Sequence, residues 1–458
     1  MKNRLKIIKL KKFFRKRIAL LSVLVGVVIS IISICFLFVV YGAISTVINI
    51  SGEGRVETAQ TMSNYYYKEG YFYEDESCTE KVTLNSNRNV EIVTFQDLIN
   101  QIASGSIIYM LSSYMSPIPE ENVVIGAKNI SIQRYIDENG DNLTFKDGSL
   151  IEVKSTFSID ATDLNGFLII DGADLEYDSG FEGGIFNVNS GGVLNLFGAS
   201  SQNIILKNSF AKTGGALFNN GNLTLSNCKV TDNTAAQGGA IYSYGADASA
   251  VIDGCLIKNN IASEYGGGIN NLSNMTIKNS SVSNNSLTDG VAENGGGIYC
   301  GNSDYTNLTA EGQVIVENNL SKNGVNSNLA LYSEFLSYKT MTSNGLSVGS
   351  HIGITTVFKP FNISFSGINI PFNVTISPKD KTTSEKTYFF SDDEKYEIDY
   401  VNNAIVLKVK GQTQTQETLS VEESQRIYRE WKLYQEQTKS QEQNTQTDDE
   451  TKNQNTRD

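Results

Sequence analysis

The sequence predicts an all-β fold, a right-handed parallel β-helix, and three observations carry that prediction. The motif GGAL ends at Leu217, GGAI at Ile241, and GGGI at Ile269 and again at Ile298, so a unit recurs at intervals of 24, 28 and 29 residues. Periods of about 20 to 50 residues mark solenoids, propellers or arrays. Ahead of each glycine pair an aliphatic residue is followed three positions later by Asn: Ile205 and Asn208, Val230 and Asn233, Ile257 and Asn260, Val282 and Asn285, with a last pair at Val316 and Asn319. Between these marks the chain holds short strands. "ALFN", "NLTLSN" and "KVTDN" alternate apolar and polar residues, are separated by Asn, Gly and Ser, and leave no room for a helix. Three short strands per turn, with coils about 4.8 Å apart, fit a parallel β-helix.

The two marks suit that geometry chemically. An Asn at the same corner of successive coils can bond its amide to the Asn above and below, which forms a ladder. Gly214, Gly238, Gly266 and Gly295 open glycine pairs that admit tight turns with positive φ. A disordered Asn-rich segment gives no reason for aliphatic residues at fixed offsets. Cys228 and Cys255 each lie two residues before the aliphatic of their motif, so the register stacks them in adjacent coils, pointing inward.

The GGA[IL] and [IV]xxN pair resembles the repeat of the chlamydial polymorphic outer-membrane proteins, within the wider group of bacterial surface proteins with pectate-lyase-like β-helices. The chlamydial version usually has Phe where this chain has Ile or Val, and no carboxy-terminal membrane barrel is evident. The resemblance covers about residues 180–330 and implies surface display and adhesion, with no catalytic residue to carry over.

Taken in order, the chain divides into six stretches. Residues 1–17 carry nine Lys or Arg and no acid, although the whole chain is at net charge −13. Ile18 to Gly52 holds no charged residue, and 18–47 is expected to be a transmembrane signal anchor: a span needs about 20 apolar residues, a cleavable signal only 7 to 15. Basic residues remain cytoplasmic, so the acidic body is placed outside a single-pass membrane protein. The alternative is secretion after cleavage near Ala43 to Ser45. Residues 48–90 are expected to be a stalk with a Tyr cluster. The β-helix is expected over 91–335, its open first coil covered by a strand, a short amphipathic helix from Phe95 to about Ala103, and a second strand. Residues 336–409 are a β-rich cap or module with a hairpin around Asn402 and Asn403. Residues 410–458 turn to Gln, Thr, Glu and Asp, a disordered tail with a short helix from Ser420 to Tyr434.

An enzyme is the rival reading: an extracellular polysaccharide lyase or glycoside hydrolase. The inventory weakens it, because His351 is the only His and no Arg lies between Arg134 and Arg426. Asp160, Asp163, Asp171 and Asp174 form an acidic group that strand-end turns explain equally well, and "DENGDN" from Asp137 lacks the later bidentate Glu of a calcium loop. No catalytic residue, metal site or cofactor is assigned. A disulfide between Cys228 and Cys255 is left open beside two buried thiols. The acidic body argues against nucleic acid. The candidate binding face is the outward column Phe218, Tyr242 and Tyr299, one residue past each inward aliphatic and suited to sugars or protein. The expected partners are the membrane and an extracellular glycan or host cell-surface protein, held by a non-catalytic scaffold.

Overall fold

Short alternating strands need neighbours to bury their apolar side, and in this chain each strand finds one in the next turn of its own repeat. The computed structural model describes residues 62–85, 87–117, 120–136, 148–173, 181–301, 305–332, 341–355, 362–363, 368–369, 375–378, 383–401 and 404–411. The basic segment, the expected span, the DENGDN loop, Asp174, the hairpin tip at Asn402 and Asn403, and the tail helix lie outside these residues. No helix among the described residues is long and apolar enough to cross a membrane.

The fold is all-β, with a long and mostly parallel sheet compatible with a β-helix or solenoid. One repeat shows the path. Leu217–Asn219 pairs forward with the start of Ile241–Asp253, Asn222–Ser226 with the end of that strand, and Cys228–Thr231 with Leu256–Lys258. Every pairing is parallel and one repeat apart. A fourth short strand that the sequence did not suggest, Thr234–Gln237, lies between the Asn and the glycine pair and joins a separate sheet with Phe210–Thr213, Ile261–Tyr265 and Ser286–Leu287.

Inward positions hold the core. Leu217, Val230, Ile241, Ile257, Ile269, Val282 and Ile298 are all buried, in line with the sequence register. Each such side chain contributes about 1.5–3 kcal/mol relative to exposure. Cys228 and Cys255 stack inward as free thiols, the Cys228 N–H donating to Cys255 Sγ at 3.4 Å. Burial pushes the Cys228 thiol pKa up. The glycine pair is fixed by contact. A Cβ on Gly214 (φ +65) would lie 2.0 Å from Leu217 O, and one on Gly215 would lie 2.1 Å from Gly239 O in the next coil.

The asparagine corner is a continuous ladder. The backbone N–H and Nδ2 of Asn233 both donate to Asn260 Oδ1, at 3.1 and 3.0 Å. Asn260 does the same to Asn285, Asn285 to Asn319, and Asn319 to Asn328. Each Nδ2 from Asn233 to Asn319 also donates to a carbonyl of the preceding coil, for instance Asn260 to Val230 O at 3.1 Å. The run ends on Asp392, whose carboxylate accepts from the N–H and Nδ2 of Asn328, at 2.8 and 2.6 Å, and from Thr355 Oγ1 at 2.6 Å.

Asn208 departs from the expected register. Leu206, not Ile205, pairs with Val230, so Ser209 takes the ladder position and its N–H donates to Asn233 Oδ1 at 3.1 Å. Asn208 instead matches Asp232, Asn259, Asn284 and Asn318, the left-handed corner residues with φ between 52 and 58. An Asn side chain tolerates that conformation better than most.

The solenoid extends further at both ends than expected, while the expected carboxy-terminal hairpin is present. In the stretch expected to be a stalk, Asn64–Lys68 pairs in parallel with Ile107–Met110, and Tyr66, Tyr67 and Phe72 are buried. The strand is covered on both faces: Tyr66 packs with Leu111 and Tyr135, while Tyr67, Phe72, Phe95, Tyr114 and Phe157 pack together over the first coil. The helix is Phe95–Gln101, capped by Thr94 accepting from the Asp97 N–H. Past the repeats, parallel pairing continues from Leu308 to Met341 and on to Ile376. It stops at an antiparallel hairpin, Tyr396–Val401 with Ala404–Val409, whose second strand pairs with Thr375–Pro378.

Candidate functional site

Just past each glycine pair, a column runs in register through Asn187, Phe218, Tyr242, Asn270 and Tyr299. The sequence placed Phe218, Tyr242 and Tyr299 together there, and the pairing brings them onto one face. Phe218 and Tyr242 stack with centroids 5.6 Å apart and planes at 9°. Tyr299 sits 4.9 Å from Tyr265 and 6.1 Å from Tyr332.

Nearly parallel rings at this separation form an offset stack, and Phe218 is only 6% exposed, so little of its ring is open to a ligand. What the column offers outward is ring edges and phenol hydroxyls. Burial, with smaller contributions from Tyr244, Glu182 and Tyr305, pushes the Tyr242 pKa up to about 12. Burial also raises that of Tyr299. Both phenols therefore keep their protons at neutral pH and remain donors.

A second column lies on the other side of the glycine turns: Thr213, Gln237 and Tyr265, paired through the fourth strands. Sequence reading missed it, although its members are the residues immediately before Gly214, Gly238 and Gly266. The columns touch, since Asn270 Nδ2 reaches Gln237 Oε1 at 3.5 Å. Among the described residues, five buried side-chain oxygens have no hydrogen-bond partner, and three of them, Asn187 Oδ1, Thr213 Oγ1 and Asn270 Oδ1, belong to these two columns.

The acidic group is placed differently. Asp160 accepts from the Thr162 N–H, Asp163 from the Asn165 N–H, and Asp171 from the Ala173 N–H, each at 2.9 Å. Each carboxylate closes its own turn two residues on, and Asp171 also pairs with Lys207 at 3.1 Å. His351 lies 3.9 Å from Glu317, with its ring against Phe390.

Searches against protein-family models, curated proteins and solved structures found no match. The likeness to the chlamydial repeats therefore rests on the GGA[IL] and [IV]xxN residues alone. Function has to be argued from the side chains.

Proposed function

We propose that the chain is a membrane-anchored, surface-displayed right-handed parallel β-helix that serves as a non-catalytic binding or adhesion scaffold, with its ligand lying along the paired columns. One observation carries the reading: aromatic and amide side chains stack in register at coil spacing, and the two columns keep three buried oxygens without a hydrogen-bond partner. Repeat proteins use such extended faces for recognition without a pocket. Asp160, Asp163 and Asp171 each close their own turn, which weighs against them as the carboxylates of the lyase or hydrolase alternative.

The test is incubation of purified residues 53–458 with a glycan panel and with cell-surface protein, following both retention and newly formed reducing or unsaturated ends. Retention without turnover, lost in Tyr242→Ala with Tyr299→Ala, is expected; turnover abolished by changing Asp160, Asp163 or Asp171 would sink the scaffold reading. Display is checked separately, by adding protease to intact cells. The body should be digested and the first 40 or so residues spared.

A further inference from the structure

Buried polar groups are nearly always bonded, and each exception calls for a cause. In the outward columns the exceptions share a type, since Asn187, Thr213 and Asn270 each leave an oxygen unpaired. Asn270 is 2% exposed and sits between Tyr242 and Tyr299 in the register. The phenols beside it are protonated donors. A partner satisfying both sets must offer donors and acceptors close together, at every coil, which hydroxyl groups do and an isolated charge does not.

Charge narrows the class. Glu182 pairs with Thr213 in a backbone β-bridge and Glu264 accepts from Gln237 Nε2 at 2.7 Å, with Lys212 as the cation acting on Glu182, in a chain of net charge −13. Carboxylates beside the columns disfavour an anionic polymer.

We propose that the paired columns bind a neutral polyhydroxylated chain, an uncharged glycan, running along the coil axis, with Asn187, Thr213 and Asn270 accepting from its hydroxyls and Tyr242 and Tyr299 donating to them. This rests on the scaffold reading and deepens it by naming the ligand class. The asparagine oxygen is reached when a neighbouring tyrosine ring turns aside, a motion of ps–ns for surface side chains. Binding is read by hydrogen bonds, so it discriminates hydroxyl patterns more than ring shape.

The test uses the full chain with hydroxyethyl cellulose and a neutral β-1,3-glucan as probes, polygalacturonate as the anionic control, and a random-sequence peptide library. A neutral glycan is expected to be retained and polygalacturonate is not. Asn270→Leu should weaken retention at least tenfold without lowering the melting temperature, because it removes an acceptor the fold does not use. Asn187→Leu should repeat the result independently. Polygalacturonate binding as tightly as the neutral probes would overturn the proposal, and so would Asn270→Leu binding normally but melting earlier. Peptides retained through Tyr242 and Tyr299, with no glycan retained, would end the glycan assignment and leave the scaffold reading standing. Retention of neither ends both.

Discussion

At the corner following Val230, Ile257 and Val282, the amides of Asn233, Asn260 and Asn285 have both ends bonded, whereas beyond the glycine turn Asn270, buried to a similar degree, leaves its oxygen unpaired. Both positions recur with the coil and both stack in register. Periodicity alone therefore does not separate structure from function in a repeat protein. Hydrogen-bond satisfaction does: a column that consumes all its own donors and acceptors holds coils together, and one that leaves some over has capacity for something else.

Substitutions can break the comparison, and the largest effect is expected in the core beneath the ladder. Ile257→Asp buries a carboxylate between Val230 and Val282 and should cost at least about 4 kcal/mol, seen as loss of the strand signal in circular dichroism. Unchanged melting would mean that the inward register is wrong. Asn260→Ala comes next. It strips the acceptor from the Asn233 N–H and Nδ2 and the donor from Val230 O and Lys258 O, and should cost roughly 3 kcal/mol by denaturant titration.

How far these positions were legible in sequence depends on what fixed them. Asn233, Asn260, Asn285 and Asn319 follow from a constant offset to one aliphatic residue. Asn208 did not, because Ile204, Ile205 and Leu206 form an unbroken aliphatic run in which alternation cannot say which residue points inward. Asp392 was out of reach, because it meets Asn328 across 64 residues of chain. The outward column was readable as a list of residues, but the offset, near-parallel stacking of Phe218 and Tyr242 depends on side-chain angles that spacing does not encode. Thr213, Gln237 and Tyr265 were overlooked because their short strand has too few residues to show a period.

The outward column should respond more weakly, and to pH. Tyr242 has its folded pKa raised from about 10 in the unfolded chain to about 12, so the unfolded state loses its proton first. Its contribution is fully present below about pH 10 and is lost as pH rises towards about 12. Phenolate absorbance should titrate late for this residue. Tyr242→Phe should reduce that late component, which Tyr67 shares, by one phenol and lessen the fall of stability over the same window, while Asn260→Ala leaves the window unchanged. Asn270→Leu is the smallest effect, within about 1 kcal/mol of the parent, since removal of a buried acceptor without a donor offsets loss of the long Nδ2 contact to Gln237 Oε1 at 3.5 Å. A loss of several kcal/mol there would make the two corners alike.

The ladder also has a direction. Along the ladder itself, from Asn233 to Asn328, each amide donates to the next member and its oxygen accepts from the previous one, and only Asp392 accepts without passing the pattern on. Ser209 starts the series and Asp392 terminates it, so the beginning and the end are encoded apart from the middle. Excision of residues 234–260 would bring Asn233 onto Asn285 with the same two bonds it now makes to Asn260. The length of the molecule is thus an adjustable quantity, open to gain or loss of whole coils at the shared Asn corner, while its two terminators stay unedited.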